Sequence, residues 1–263
     1  MPPLHRPLRT VPTGDFGVDE LLAAKGATSI SVCLPARDEE ATIGAIVASI
    51  VADLVERHPL VDEVLVVDDG STDTTAEVAH RAGARVVATL VPAGKGGALR
   101  TSLGASRGDL VVWCDADIVD FDTRFVTGLV GPLLFEPSVD FVKACYRRDL
   151  HGRDGEGGRV TELVARPLLA RLFPHLAGFT QPLAGEYAGR RALLERLTFV
   201  SGYGVDLGVV IDVAELAGVE AMVQVDLGRR SHRNRPLAEL APQAAAVLAV
   251  ALDRAGFPAP QPF

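Results

Sequence analysis

Asp115 and Asp117 stand two residues apart, directly behind the apolar run 110–114. A second acidic turn, Asp68-Asp69-Gly70-Ser71-Thr72-Asp73, follows the apolar run 64–67. Carboxylates behind buried parallel strands emerge at the carboxyl edge of a sheet, where open α/β folds bind ligands. Hard divalent cations take oxygen ligands there, shared between one or two carboxylates and substrate phosphates. The two turns therefore point to a nucleotide diphosphate held through a metal ion. Either turn alone reads more plainly as a solvated Asp-rich loop; the ordered pair favours the metal.

The elements that must carry these turns alternate. Residues 29–34, 63–67, 85–88 and 109–114 read as strands. Between them, Ile43, Ile46, Val47, Ile50, Val51 and Leu54 recur at a helical period. Further helices are expected over 74–82, which Ser71, Thr72 or Asp73 can cap, and over 96–107. Such alternation predicts an α/β fold, a Rossmann-like, mostly parallel sheet flanked by helices. Residues 1–28 read as a Pro-rich surface arm and 29–117 as a nucleotide-binding half. No phosphate-cradling P-loop is present, and no GxGxxG follows the first strand, so kinases and nicotinamide dehydrogenases lose their best support.

Beyond residue 117 the pattern is less regular. Strands are expected at 139–146 and 221–225, with a charged, Gly-rich loop at 149–158. A helical segment opens at 158, turns occupy 182–187 and 201–206, and an amphipathic helix covers 237–254. There is no internal repeat or low-complexity linker, so 118–263 is expected to continue the same domain.

Composition narrows the partners. The 263 residues carry a formal net charge of −8, which leaves no broad basic footprint for nucleic acid. Cys33, Cys114 and Cys145 show neither zinc spacing nor a disulfide framework, which suits a reducing cytosol. The opening residues lack the apolar core of a signal peptide. The longest apolar run, 244–252, falls short of the ~20 residues that span a bilayer. A cytoplasmic protein without stable membrane insertion is expected.

Leu34-Pro35-Ala36-Arg37-Asp38-Glu39-Glu40, the turn 68–73, Gly94-Lys95-Gly96 and Asp115-Ala116-Asp117 together resemble the nucleotide-sugar half of GT-A glycosyltransferases. Four later segments narrow the likeness: Gly158-Arg159-Val160-Thr161-Glu162-Leu163, Gln181-Pro182-Leu183-Ala184-Gly185-Glu186-Tyr187, Gly202-Tyr203-Gly204-Val205-Asp206 and Ser231-His232-Arg233-Asn234-Arg235-Pro236-Leu237. These are similar to the glucosyl-3-phosphoglycerate synthases of actinobacteria, and the resemblance runs from about residue 29 to 240. It implies a GT-A fold, a homodimer, and Mg²⁺ or Mn²⁺ as cofactor. The implied reaction moves glucose from UDP-glucose to the 2-hydroxyl of 3-phosphoglycerate with retention of configuration.

The same resemblance distributes roles. Pro35, Ala36 and Glu39 would receive the uracil and ribose, with Asp69 standing where the family pattern has serine. The plainer reading of the first turn is a polar start to a helix capped by Asp38. Lys95, among glycines that let backbone approach a ligand, would meet a phosphate or the sugar. Asp115 and Ala116 would contact ribose or sugar, and Asp117 and His232 would bind the metal. Gly158, Arg159, Thr161 and Asn234 would hold the acceptor's phosphate and carboxylate. Asp206, shorter than the family's glutamate, would orient the acceptor hydroxyl or the glucose. No protein nucleophile is evident, so a front-face route is expected, the leaving phosphate taking the acceptor's proton.

Four alternatives stand beside this expectation. Mannosyl-3-phosphoglycerate synthases using GDP-mannose share much of the pattern. Polyprenyl-phosphate glycosyltransferases share the first-half motifs but want a membrane segment. Sugar-1-phosphate nucleotidyltransferases want a Gly-rich signature near the first strand. A non-catalytic binding module needs no acceptor-side set.

Overall fold

Strands that read as near-continuous apolar runs are buried on both faces, and the sheet that forms is covered on both sides. In the computed structural model, which describes residues 8–89, 94–148, 158–230 and 237–257, eight strands join one sheet. They are β1 (Arg9–Pro12), β2 (Ile30–Ala36), β3 (Glu63–Asp68), β4 (Arg85–Ala88), β5 (Leu110–Trp113), β6 (Phe141–Arg148), β7 (Tyr187–Arg190) and β8 (Met222–Arg230). Their order across the sheet is β1-β8-β6-β7-β5-β2-β3-β4. Every neighbouring pair is parallel except those of β7, which runs antiparallel to β5 and β6.

Alternation along each strand divides the core. Ile30, Val32 and Leu34 of β2 face a cluster shared with α1 (Val18–Lys25), α2 (Ile43–Ile50), α3 (Thr75–Arg81) and α5 (Arg124–Phe135). Cys33, Trp113 and Tyr187 face a second cluster with α4 (Gly94–Ala105), α6 (Arg166–Leu172), α7 (Arg191–Leu194), α8 (Val205–Ala217) and α9 (Leu237–Arg254). The expected α/β architecture, a mostly parallel sheet flanked by helices, is therefore present.

Four elements differ from expectation. Residues 9–12 of the expected arm pair with Arg9 against Val223 at the sheet edge, and α1 buries Leu21 completely. Its apolar residues are too few and interrupted to signal an edge strand. Strand β7 starts at the last residue of the expected turn 182–187, where a helix is expected to follow; its four residues include Gly189 and carry no alternation to signal a strand. Helix α5 was unforeseen because Gly128, Gly131 and Pro132 interrupt its pattern. An added Cβ at Gly131 would overlap the Phe16 ring, so close packing, not helix propensity, selects glycine there.

One buried hydrogen bond registers α4 on β5. Trp113 Nε1 donates to Ser102 Oγ at 2.7 Å, and both residues are fully buried. Ser102→Ala should leave the indole N–H without an acceptor and cost about 1–3 kcal/mol. Urea unfolding of the variant measures that loss, and an unchanged midpoint would remove Ser102 as the link.

Candidate active site

The parallel strands β2, β3 and β5 deliver their following turns to one edge. The turn after β5 is pinned where Thr42 Oγ1 donates to the Ala116 carbonyl at 2.7 Å, leaving Asp117 exposed and Asp115 half-buried. Pro35 and Ala36 close β2, and their turn is braced against the one after β3. Asp38 Oδ1 accepts from Thr72 N at 2.7 Å, and Glu40 Oε2 accepts from Thr74 N at 3.0 Å. In return Asp38 N donates to Ser71 Oγ at 3.0 Å and Glu39 N to Thr75 Oγ1 at 2.8 Å. Asp38 therefore braces the neighbouring turn instead of capping α2, and it does so at φ +55°, which aspartate tolerates better than most residues. Asp69 lies buried beneath this brace, its Oδ1 accepting from Thr89 Oγ1 at 2.9 Å.

Lys95 is the second residue of α4, and its ammonium bridges two distant acids. Nζ lies 3.1 Å from Asp115 Oδ1 and 3.0 Å from Asp206 Oδ2. Asp206 is the second residue of α8, so the contact needs the starts of both helices at one place. Glycines permit this. A Cβ at Gly96 would overlap the Val200 carbonyl, and one at Gly94 would stand 3.4 Å from Gly202 Cα. Burial opposes the lysine's charge, but Asp115 and Asp206 outweigh it and hold the ammonium well above the ordinary lysine value. Lys95 is thus charged at any working pH. Asp206 Oδ1 is buried and has no hydrogen-bond partner among the described residues.

Beneath this triad lie residues to which the sequence reading gave no role. Lys143 of β6 and Glu186 are fully buried, as is Tyr187 of β7. Gly185 rests on Asp115 so closely that an added Cβ would overlap its carboxylate. The signal for Lys143 was available: a lone charge inside the otherwise apolar stretch 141–146.

The remaining expected residues are spread more widely. Gly158, at φ +77°, precedes Arg159 and the buried Thr161 on the helical segment that packs against α9. Glu162 N donates to the Gly158 carbonyl at 3.0 Å, so the segment's first turn starts there. His232 and Asn234 lie outside the described residues. Among the described residues no group of three metal-ligating side chains assembles. An exposed carboxylate at a strand's carboxyl end nevertheless fits a hard cation that shares its sphere with phosphate oxygens. Lys95 between Asp115 and Asp206, with an acidic turn beside it, leaves this edge net negative, so a phosphorylated ligand here calls for a metal cation as well as the lysine.

Comparison with known proteins agrees with that chemistry. The glycosyl transferase family 2 model matches residues 31–197. The glucosyl-3-phosphoglycerate synthase of Mycolicibacterium paratuberculosis is 50% identical over 255 residues, 92% of this chain and 77% of the relative. Two crystal structures of the Mycobacterium tuberculosis synthase superpose with a TM-score of 0.88 at 47% identity over 96% of this chain. One, covered to 89%, holds Mn²⁺, UDP-glucose and phosphoglyceric acid. The other, covered to 88%, holds Mg²⁺ and UDP.

Removing Lys95 should leave two carboxylates facing each other. Lys95→Met is expected to lose on the order of 2 kcal/mol, less than the roughly 3–5 kcal/mol of a fully buried pair because solvent reaches the site. Lys95→Met/Asp206→Asn should recover part of that loss. Urea unfolding across the double-mutant cycle checks this, and strictly additive losses would break the assignment.

Proposed function

Because the chain belongs to glycosyl transferase family 2 and, within it, to the glucosyl-3-phosphoglycerate synthases, we propose that it transfers glucose from UDP-glucose to the 2-hydroxyl of 3-phosphoglycerate with retention of configuration. The observation that carries this reading is the bridge from Lys95 to Asp115 and Asp206 at the carboxyl edge of the sheet. It fixes a cation where the leaving diphosphate would lie.

The donor's uridine rests on the braced turns, against Pro35, Ala36, Glu39 and Asp69, with Asp115 and Ala116 toward the ribose and sugar. Asp117 and His232 would hold Mg²⁺ or Mn²⁺, which when bound neutralises charge on the diphosphate. Lys95 stands preorganised for the charge that develops on the departing phosphate, where fixed groups contribute most. Gly158, Arg159, Thr161 and Asn234 take the acceptor's phosphate and carboxylate, and Asp206 orients the acceptor hydroxyl or the glucose. With no protein nucleophile assigned, the acceptor hydroxyl passes its proton to the leaving phosphate oxygen on the same face of the sugar. None of the described helices is long and apolar enough to cross a membrane. The likeness to the family is what leads us to infer a cytoplasmic homodimer as the working form.

Kinetics with a panel of UDP- and GDP-sugars against 3-phosphoglycerate, glycerate and polyprenyl phosphate test the reading. UDP-glucose with 3-phosphoglycerate should be preferred, and glycerate should be a poor acceptor. Arg159→Ala should raise the acceptor KM roughly ten- to a hundredfold, the cost of one charge-assisted hydrogen bond, with UDP-glucose affinity unchanged. Equal use of glycerate, or an equal loss of donor affinity, would contradict the acceptor assignment.

A further inference from the structure

A second lysine stands behind Lys95 without a part in the transfer as described. Lys143 sits within β6, fully buried, and pairs in register with Tyr187 on β7 and Gln224 on β8. Trp113 of β5 pairs with Tyr187 in turn. Cross-strand partners share a face, so these four side chains form one row across the sheet.

Two members of the row hold the segment 178–186. Lys143 Nζ donates to the Ala184 carbonyl at 2.7 Å and lies 4.1 Å from the centroid of the Tyr187 ring, a cation–π contact. Gln224 Oε1 accepts from Thr180 N at 2.8 Å, and its Nε2 donates to the Gly178 carbonyl at 3.1 Å. Ala144 N adds a fourth tie, to the Glu186 carbonyl at 2.9 Å. The segment so fixed carries Gly185, which rests on the Asp115 carboxylate, and Asp115 in turn bonds Lys95. A continuous chain of contacts thus runs from the middle of the sheet to the site's cation.

Packing alone does not call for lysine here. An ammonium buried this deeply costs free energy that a methionine of similar length would not. Burial pushes Lys143 down to about 8; Asp206, Glu186 and Asp115 pull it up, and Lys95 adds to the depression. Those groups, from α8, α4 and the turns bounding β5 and β7, together with the Tyr187 hydroxyl, are the titratable neighbours that surround it.

We propose that Lys143 is a positioning residue for glycosyl transfer: bonded to the Ala184 carbonyl and seated over Tyr187, its ammonium fixes the segment 178–186 against Asp115 and thereby sets Lys95 beside the donor diphosphate. The turnover part of this inference rests on the transfer reading above; the nucleotide-binding part does not.

Two variants separate its functions. Lys143→Met removes donor and charge, whereas Lys143→Gln keeps an N–H donor with a reach one bond shorter and removes the charge together with the cation–π contact. Loss of the outer partners that orient metal ligands lowers affinity or activity about ten- to a hundredfold, and we expect the lower end of that range for this support. Lys143→Met should therefore lose at least tenfold in kcat/KM for UDP-glucose and in calorimetric affinity for UDP with Mn²⁺. A lysine is charged below its pKa, so wild-type kcat/KM, which reports the free enzyme, should decline as pH rises through about 8. Lys143→Gln should show a lower value with no such decline between about pH 7 and 9. Wild-type kcat/KM and UDP affinity in Lys143→Met, or an unchanged alkaline limb in Lys143→Gln, would overturn the proposal. Should Lys143→Met fail to fold, the Gln variant and the wild-type profile decide. If the wild type bound UDP with Mn²⁺ yet transferred no glucose, the transfer reading would fail while the UDP titrations still judged Lys143.

Discussion

The rest of this structure depends on keeping one ammonium between two carboxylates that lie 111 residues and 20 residues away from it in the chain. Such a group is stable only if both partners are held at bonding distance before any ligand arrives, because an uncompensated charge at a half-buried site is costly. The fold meets that requirement with backbone rather than with long side chains. Gly94 and Gly96 bring the start of α4 against the turn 200–202, and Gly185 lets another segment lie on Asp115.

Topology explains why these groups meet. The parallel strands β2, β3 and β5 send their turns to the same edge, where the acidic turns and the reciprocal brace through Asp38, Glu40, Ser71 and Thr74 form one wall. The single reversed strand, β7, lies between β5 and β6, and the segment that enters it passes the sheet at that edge. One inserted antiparallel strand therefore brings Gly185, Glu186 and Tyr187 beneath a site otherwise made by parallel crossovers. The chain's two halves meet along this line, with Lys95 and Asp115 from the first and Asp206 from the second.

Much of this was legible in the sequence, for identifiable reasons. The alternation through residue 114 rests on uninterrupted apolar strands and one clean helical period, and both acidic turns follow strands with strong β composition. The segments 94–96, 115–117 and 202–206 pointed to one site for Lys95, Asp115 and Asp206, yet nothing in their spacing foretold that all three would share an ion bridge. Helix α5 stayed hidden because its glycines answer to Phe16 and Thr13, which are distant in sequence. Strand β1 stayed hidden because four edge residues carry too little pattern. Lys143 was overlooked because a strand assignment treats an internal lysine as noise, whereas its register beside Tyr187 gives it meaning only in three dimensions.

The central claim is that Lys95 is preorganised for charge arising during transfer more than for the donor's ground state. Pre-steady-state turnover of Lys95→Ala, measured beside its calorimetric affinity for UDP-glucose with Mn²⁺, tests that most directly. The account expects the chemical step to slow by roughly 10²–10³, the scale of losing one preorganised electrostatic group, with a much smaller change in donor affinity. A loss of affinity large enough to explain the whole loss of activity would contradict it and make Lys95 a simple donor anchor.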